Sequence, residues 1–146
     1  MAVGFKLVKE SNETVNKKVR IASQAYTLGD LVMVDVTSDA IDVVPATATT
    51  TTALVYAVAQ ETVASTATEM LVTIVTPNQE WSVDCTNTPT TNDNFQHMIL
   101  TDKATVNNTH TNSTSAAALF LQLGVTGAAS AKRIVGNILK VANVTA

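Results

Sequence analysis

The sequence has few of the residues on which several protein classes depend. Among 146 positions it has one cysteine, three prolines, five glycines and six aromatic residues, and only 14% of its residues are charged. A single cysteine excludes an internal disulfide framework and a zinc site built on cysteines. Active sites need ionisable side chains, so the scarcity of charge argues against an enzyme.

Long apolar runs and targeting segments are also missing. No run reaches the roughly 18 apolar residues of a membrane span, and residues 1–13 have no apolar stretch after a basic start. We therefore expect no signal peptide. No glycine-rich phosphate-binding loop occurs. These absences predict a protein made in the cytoplasm, with no membrane association, no small-molecule substrate and no cofactor.

Charge is segregated along the chain. Residues 1–20 hold five basic and two acidic side chains, residues 21–102 hold ten acidic and no Lys or Arg, and residues 103–146 hold four basic and no acidic ones. Either the basic ends pack on the acidic body of the same subunit, or the N-terminal arm reaches a neighbouring subunit or a larger surface. The pI of about 5.2 and the lack of aromatic residues among the basic ones predict no nucleic-acid partner.

The residues that are plentiful favour β-strands. Hydrophobic residues make up 46% of the chain and threonine occupies 24 positions. β-Branched residues pack well on a pleated, half-buried surface. The length fits one domain with a single substantial core.

Strand signals recur along the chain at intervals typical of a compact β-barrel or sandwich. Residues 1–17 are predicted to form an extended arm and residues 18–146 a single β domain. For 95–100 two inward faces stay open, one with Phe95, His97 and Ile99 and the other with Met98 and Leu100. The predicted strands and hairpins lie at 19–23, 31–44, 53–60, 69–75, 80–85, 95–100, 116–123 and 132–144.

The candidate catalytic and metal-binding groups have simpler structural interpretations. His97 and Asp102, with His110 and Ser113 nearby, provide the components of a triad, but no glycine-rich elbow presents a serine. The aspartates between residues 30 and 42 lack the spacing of a calcium loop. We expect Cys85 to pack as a small buried hydrophobe. No catalytic, metal-binding or cofactor-binding residue is therefore predicted.

One segment carries a family resemblance. The run Tyr26-Thr-Leu-Gly29-Asp30-Leu-Val32 is followed by a strand, Pro45, an Ala/Thr loop and ALVYAVAQET at 53–62. This pattern, over residues 18–85, resembles the small capsid decoration (cement) proteins of tailed bacteriophages. Tyr56-Ala57-Val58-Ala59 stands where that family often has Gly-Val-Ala.

The resemblance implies a β-barrel or β-tulip-like body, a homotrimer, and a non-enzymatic place on the outer surface of the virion head. The partner would be the major capsid protein, which the decoration protein bridges and stabilises. Charge segregation directs the interface to the N-terminal arm, with Phe5 as apolar anchor. The expected capsid or subunit interface residues are Phe5, Lys6, Lys9, Lys17, Lys18 and Arg20.

Three other functions stay open. A tail-tube or other phage structural subunit would polymerise into rings or tubes. A carbohydrate-binding or adhesin-like β module would present an exposed aromatic cluster near polar loops. A hydrolase would depend on His97 and Asp102.

Overall fold

A computed structural model describes residues 4–9, 14–21, 24–34, 43–46, 56–76, 78–109, 119–126 and 132–139. Within these ranges the regular secondary structure consists of strands and one 3-10 turn at Thr91–Asp93. In chain order the strands are β1 Lys6–Lys9, β2 Asn16–Arg20, β3 Leu31–Val34, β4 Val43–Pro45, β5 Tyr56–Ala59, β6 Glu69–Ile74, β7 Glu80–Cys85, β8 His97–Asp102, β9 Thr105–Asn107, β10 Phe120–Thr126 and β11 Arg133–Ile138.

The first sheet has six strands and curls back on itself. Its order is β1-β7-β11-β10-β8-β9, and β9 also pairs in parallel with β7. The β10–β11 pairing shifts register between Gln122 and Gly124. Such bulges bend a strand and increase the local twist, which helps the sheet to close.

The second sheet has five strands in the order β2-β6-β5-β3-β4. Its two edge strands approach each other, because Ile21, which follows β2, forms a parallel bridge with Val43 at the start of β4. The Tyr26 hydroxyl is buried there and donates to the Val43 carbonyl oxygen at 3.1 Å. This sheet therefore also curls.

Alternation along the strands builds two apolar clusters. Trp81, Val83 and Cys85 on β7 point into the larger cluster, together with residues from both sheets. On β5, the side chains of Tyr56 and Val58 enter this cluster, whereas Ala57 and Ala59 enter the second one on the opposite face of the five-stranded sheet. Because β5 is buried on both faces, its sequence is a continuous apolar run and does not alternate with polar residues.

The structure confirms the all-β sandwich and most of the predicted strands. The predicted hairpin is present as an antiparallel pair of β3 and β4, although its connection at 35–42 lies outside the described residues. On β8 the inward face is Met98 and Leu100, while His97 is exposed. The alternative inward face that began with Phe95 is therefore wrong.

The extended N-terminal arm needs correction. Residues 6–9 are extended but form β1, an edge strand paired antiparallel with β7, and Phe5 lies in the larger cluster with 3% of its surface exposed. Its ring centroid is 6.2 Å from that of Phe120. Phe5 is thus a core residue and not an anchor for a partner. Burying an aromatic ring is worth more than leaving it on a detached arm.

Candidate partner-binding surface

The Gly29-Asp30 turn of the family-like motif joins three parts of the fold. Gly29 adopts the left-handed conformation, with φ of 93°, which glycine does without steric cost. Its carbonyl oxygen accepts from the Phe5 N–H at 2.8 Å, and its own N–H donates to Ala59 at 2.9 Å. The turn therefore fixes the N-terminal segment against β5.

Asp30 is buried and fully engaged beside that turn. Its Oδ2 accepts from the Thr27 N–H at 2.9 Å and lies 3.1 Å from Lys103 Nζ. The next N–H, of Leu31, donates to the Lys103 carbonyl oxygen at 2.7 Å. Asp30 and Lys103 thus connect the five-stranded sheet to the β8–β9 turn of the other sheet, which is a structural role.

A second polar network holds the N-terminal segment in place. The guanidinium of Arg133 contacts Asp84 Oδ1 at 2.9 Å, donates to the Ser82 hydroxyl oxygen at 2.7 Å and donates to the Gly4 carbonyl oxygen at 3.3 Å. The Gly4 N–H donates to the other oxygen of Asp84 at 3.1 Å. Because these groups are partly buried, the network fixes β1 at its start.

The charge segregation is satisfied partly within the subunit. Lys9 pairs with Glu80 at 3.3 Å, and the pairs Lys103–Asp30 and Arg133–Asp84 also join a basic end to the acidic body. For these residues the first of the two sequence alternatives is correct. Lys9 therefore already has a partner in its own chain.

Three of the expected interface lysines keep their charge available. Lys6, Lys17 and Lys18 are exposed and form no ion pair with another described residue. Arg20 is also exposed and faces Glu69 across the β2–β6 pair. β2 is an edge strand, and lysines on an edge discourage non-specific strand pairing. The three lysines can therefore meet a partner of opposite charge.

A groove lies between β1 and the start of β2. We call it the β1 groove; it has a volume of about 690 Å³. Val8 and Leu28 on its wall are each 52% exposed. The sequence interpretation missed both, although Leu28 stands in the turn motif. The groove is lined by Phe5, Lys6, Leu7, Val8, Thr14, Asn16, Leu28, Gln60 and Thr73.

One aromatic side chain is presented to solvent. Phe95 is 74% exposed, whereas the other five aromatic residues are buried, and its φ of 68° lies in the left-handed region. A bulky residue in that region costs about 1–3 kcal/mol, and such strain concentrates at functional sites. The polar run Asn92-Asp93-Asn94 immediately before Phe95 is a sequence signal for this exposed position.

Buried Gln122 holds this aromatic in position. Its carbonyl oxygen accepts from the Phe95 N–H at 2.7 Å. Its side-chain amide donates to the Thr90 carbonyl oxygen and to Asn94 Oδ1, both at 2.9 Å. We call residues 90–96 the Phe95 loop. It is a fixed projection from β8 and β10.

His97 and Asp102, two of the candidate triad components, do not come together. His97 and Asp102 are the first and last residues of β8, which separates them by roughly 17 Å at the rise of an extended strand. His110 and Ser113 lie outside the described residues. Among the residues that the structure describes, no group of three His, Cys, Asp or Glu side chains could hold a metal ion. No described helix could span a membrane.

Burial keeps two titratable groups neutral, and this predicts a loss of stability in alkali. Desolvation, reinforced by Asp84, raises the pKa of the Cys85 thiol from 9.0 to about 11, and burial raises the pKa of Tyr56 from 10.0 to about 12. The unfolded chain therefore releases these protons first, so stability is full below pH 9.0 and declines as pH rises through 11. By pH 11 we expect the free energy of unfolding, measured in urea, to be lower by about 2 kcal/mol or more than at neutral pH.

The Cys85→Ala variant provides the control for this titration. It lacks the thiol, so we expect its stability to fall less steeply between neutral pH and the alkaline range. An equally steep fall in both proteins would contradict a contribution from Cys85.

Comparison with protein-family models and with curated proteins finds no match to this chain. Function is therefore inferred from the residues and their arrangement. The arrangement offers surfaces for binding: an exposed basic edge strand, an apolar groove and a projecting aromatic.

Proposed function

We propose that this protein is a structural virion protein that binds the outside of an assembled phage head as a decoration protein. The observation that carries the proposal is the edge strand β2, where Lys17 and Lys18 are exposed without an ion pair to another described residue. An exposed lysine edge on a β sandwich suits a charged protein surface. The Gly29-Asp30 turn belongs to the segment that resembles the cement proteins, and this resemblance suggests the class of partner.

The proposed partner is the major capsid protein, and the proposed working form is a homotrimer on the outer surface of the head. Its mechanism is thermodynamic. A protein that binds the expanded shell and not its separate subunits stabilises the shell in proportion to the logarithm of its free concentration. Each bound copy adds contacts that must break before neighbouring capsid subunits separate.

The lysines on β2 test the proposed interface. Reversing both charges, with Lys17→Glu and Lys18→Glu in one chain, is expected to weaken binding to heads about tenfold, because two attractions become repulsions. The probe is expanded heads assembled from the proposed partner, the major capsid protein, in the absence of this chain. Binding is measured by cosedimentation over a range of protein concentrations and at two salt concentrations, since screening weakens exposed ion pairs.

The matched control is Lys132→Glu, which reverses an exposed charge immediately before β11 of the six-stranded sheet. We expect its binding to stay within about twofold of wild type. Both proteins should keep the wild-type unfolding midpoint, because these lysines lie on the surface. Equal binding by the β2 variant and wild type would show that β2 does not meet the capsid.

A further inference from the structure

The Phe95 loop and the β1 groove are complementary in shape and in apolar surface. The Phe95 loop presents an exposed ring, and the β1 groove presents exposed Val8 and Leu28 over a buried Phe5. Aromatic residues are enriched at protein interfaces, and side chains seated in well-packed pockets near the centre contribute most of the binding energy. The groove, at about 690 Å³, is large enough to admit a phenyl ring.

The charges beside the two features are also complementary. Asp93 is two residues before Phe95 and makes no ion pair with another described residue, and Lys6 on the groove wall makes none either. When a Phe95 ring enters a groove, an acidic group accompanies it towards a basic one. Charge pairs at the rim of an interface fix its register and speed association.

Among the described residues, none of the Phe95 loop lines the β1 groove, and the Phe95 ring is 74% exposed, so the ring does not fill the groove of its own subunit. A contact between the two features therefore joins different molecules. A surface that uses one patch on one copy and another patch on the next is heterologous. Heterologous contacts produce a ring when the rotation closes and an open filament when it does not.

We propose that the Phe95 loop of one copy of this chain inserts into the β1 groove of a second copy, with Asp93 facing Lys6. The occupant of the groove is thus the chain itself. This inference deepens the homotrimer of the proposed function and rests on it only for self-association, because the contact needs no capsid. It also explains the left-handed backbone of Phe95, because this conformation directs the ring away from its own subunit.

Two variants that each destroy one half of the contact provide the test. Phe95→Ser removes the ring, and Leu28→Glu places a charge in the groove; both positions are exposed, so both chains should fold. Wild type is expected to associate in sedimentation equilibrium at two concentrations, and each variant alone is expected to give the monomer mass of 15.3 kDa. Circular dichroism and thermal unfolding verify the fold.

The decisive measurement is an equal mixture of the two variants. The Leu28→Glu copy retains its Phe95 loop and the Phe95→Ser copy retains its groove, so one intact contact can form between them. We expect a heterodimer that goes no further. A monomeric wild type, an associating single variant, or a mixture that stays monomeric would each overturn the proposal.

A charge exchange tests the pairing of Asp93 with Lys6. Lys6→Glu alone and Asp93→Lys alone are each expected to weaken association about tenfold, and the two changes in one chain are expected to restore it. Failure of the double variant to recover would overturn this pairing. Binding of the monomeric variants to heads is measured separately. It distinguishes a failure of the proposed self-association from a failure of the proposed capsid binding.

Discussion

Gly136→Ala is expected to destabilise the protein by about 3 kcal/mol or more, because β10 leaves no room for a side chain there. A Cβ on Gly136 would lie 2.9 Å from the carbonyl carbon of Leu121 and 2.9 Å from a ring carbon of Phe120. The carbonyl is backbone within a paired strand and cannot rotate away. Relief requires β10 and β11 to separate, which disrupts the larger core.

Gly124→Ala is the matched control on the partner strand. A Cβ there meets only the Val135 side chain, at 3.5 Å, which is ordinary contact. We expect a change within about 0.5 kcal/mol. Urea unfolding of both variants measures the difference, and equal stability of the two would contradict the close approach of β10 to β11.

Phe5→Ala is expected to cost about 3–5 kcal/mol, the range for removing a buried aromatic side chain. Phe5 is 3% exposed and packs against Phe120 in the larger cluster. The loss would show that the N-terminal segment is part of the fold. A free arm would tolerate the change with little effect on the urea midpoint.

Val8→Ala, three residues further along the same segment, is the control for Phe5→Ala. Val8 is 52% exposed, so its truncation should change stability by no more than about 0.5 kcal/mol. A deletion of residues 1–16 does not test the interface alone. It would remove β1 and the Phe5 ring, and it would therefore destabilise the core together with any interface.

Strands with clear alternation could be predicted from the sequence. On β7 the residues Trp81, Val83 and Cys85 alternate with polar neighbours, and the structure buries all three. The apolar run at Tyr56–Ala59 lies within the strand predicted at 53–60, and the structure buries all four of its residues. In such segments the local pattern and the tertiary environment agree.

The elements that depend on distant partners could not be predicted. β1 has lysines at both ends, which is typical of an exposed segment, yet it pairs with β7 more than 70 positions later. β9 contributes only Val106 to the core, so its parallel pairing with β7 leaves no periodic signal. Register over such separations is set by the whole fold and not by local propensity.

The candidate surface could be predicted only in part. The sequence indicated the basic residues of β2, which are exposed, but it also selected Phe5, which is buried. Phe95 was not selected as a surface residue because it was placed within the predicted strand 95–100, whose inward face was left open. A φ of 68° directs it outward, and a backbone angle of that kind is imposed by the Gln122 contacts.

Binding of the wild-type protein to heads tests the central claim most directly. Purified protein is sedimented with expanded heads assembled without it from the proposed partner, the major capsid protein, and, as the matched control, with unexpanded proheads. We expect saturable binding to expanded heads alone, and bound heads that withstand a higher temperature before releasing DNA. Absence of binding to expanded heads, or binding that leaves their thermal stability unchanged, would contradict a capsid-stabilising role.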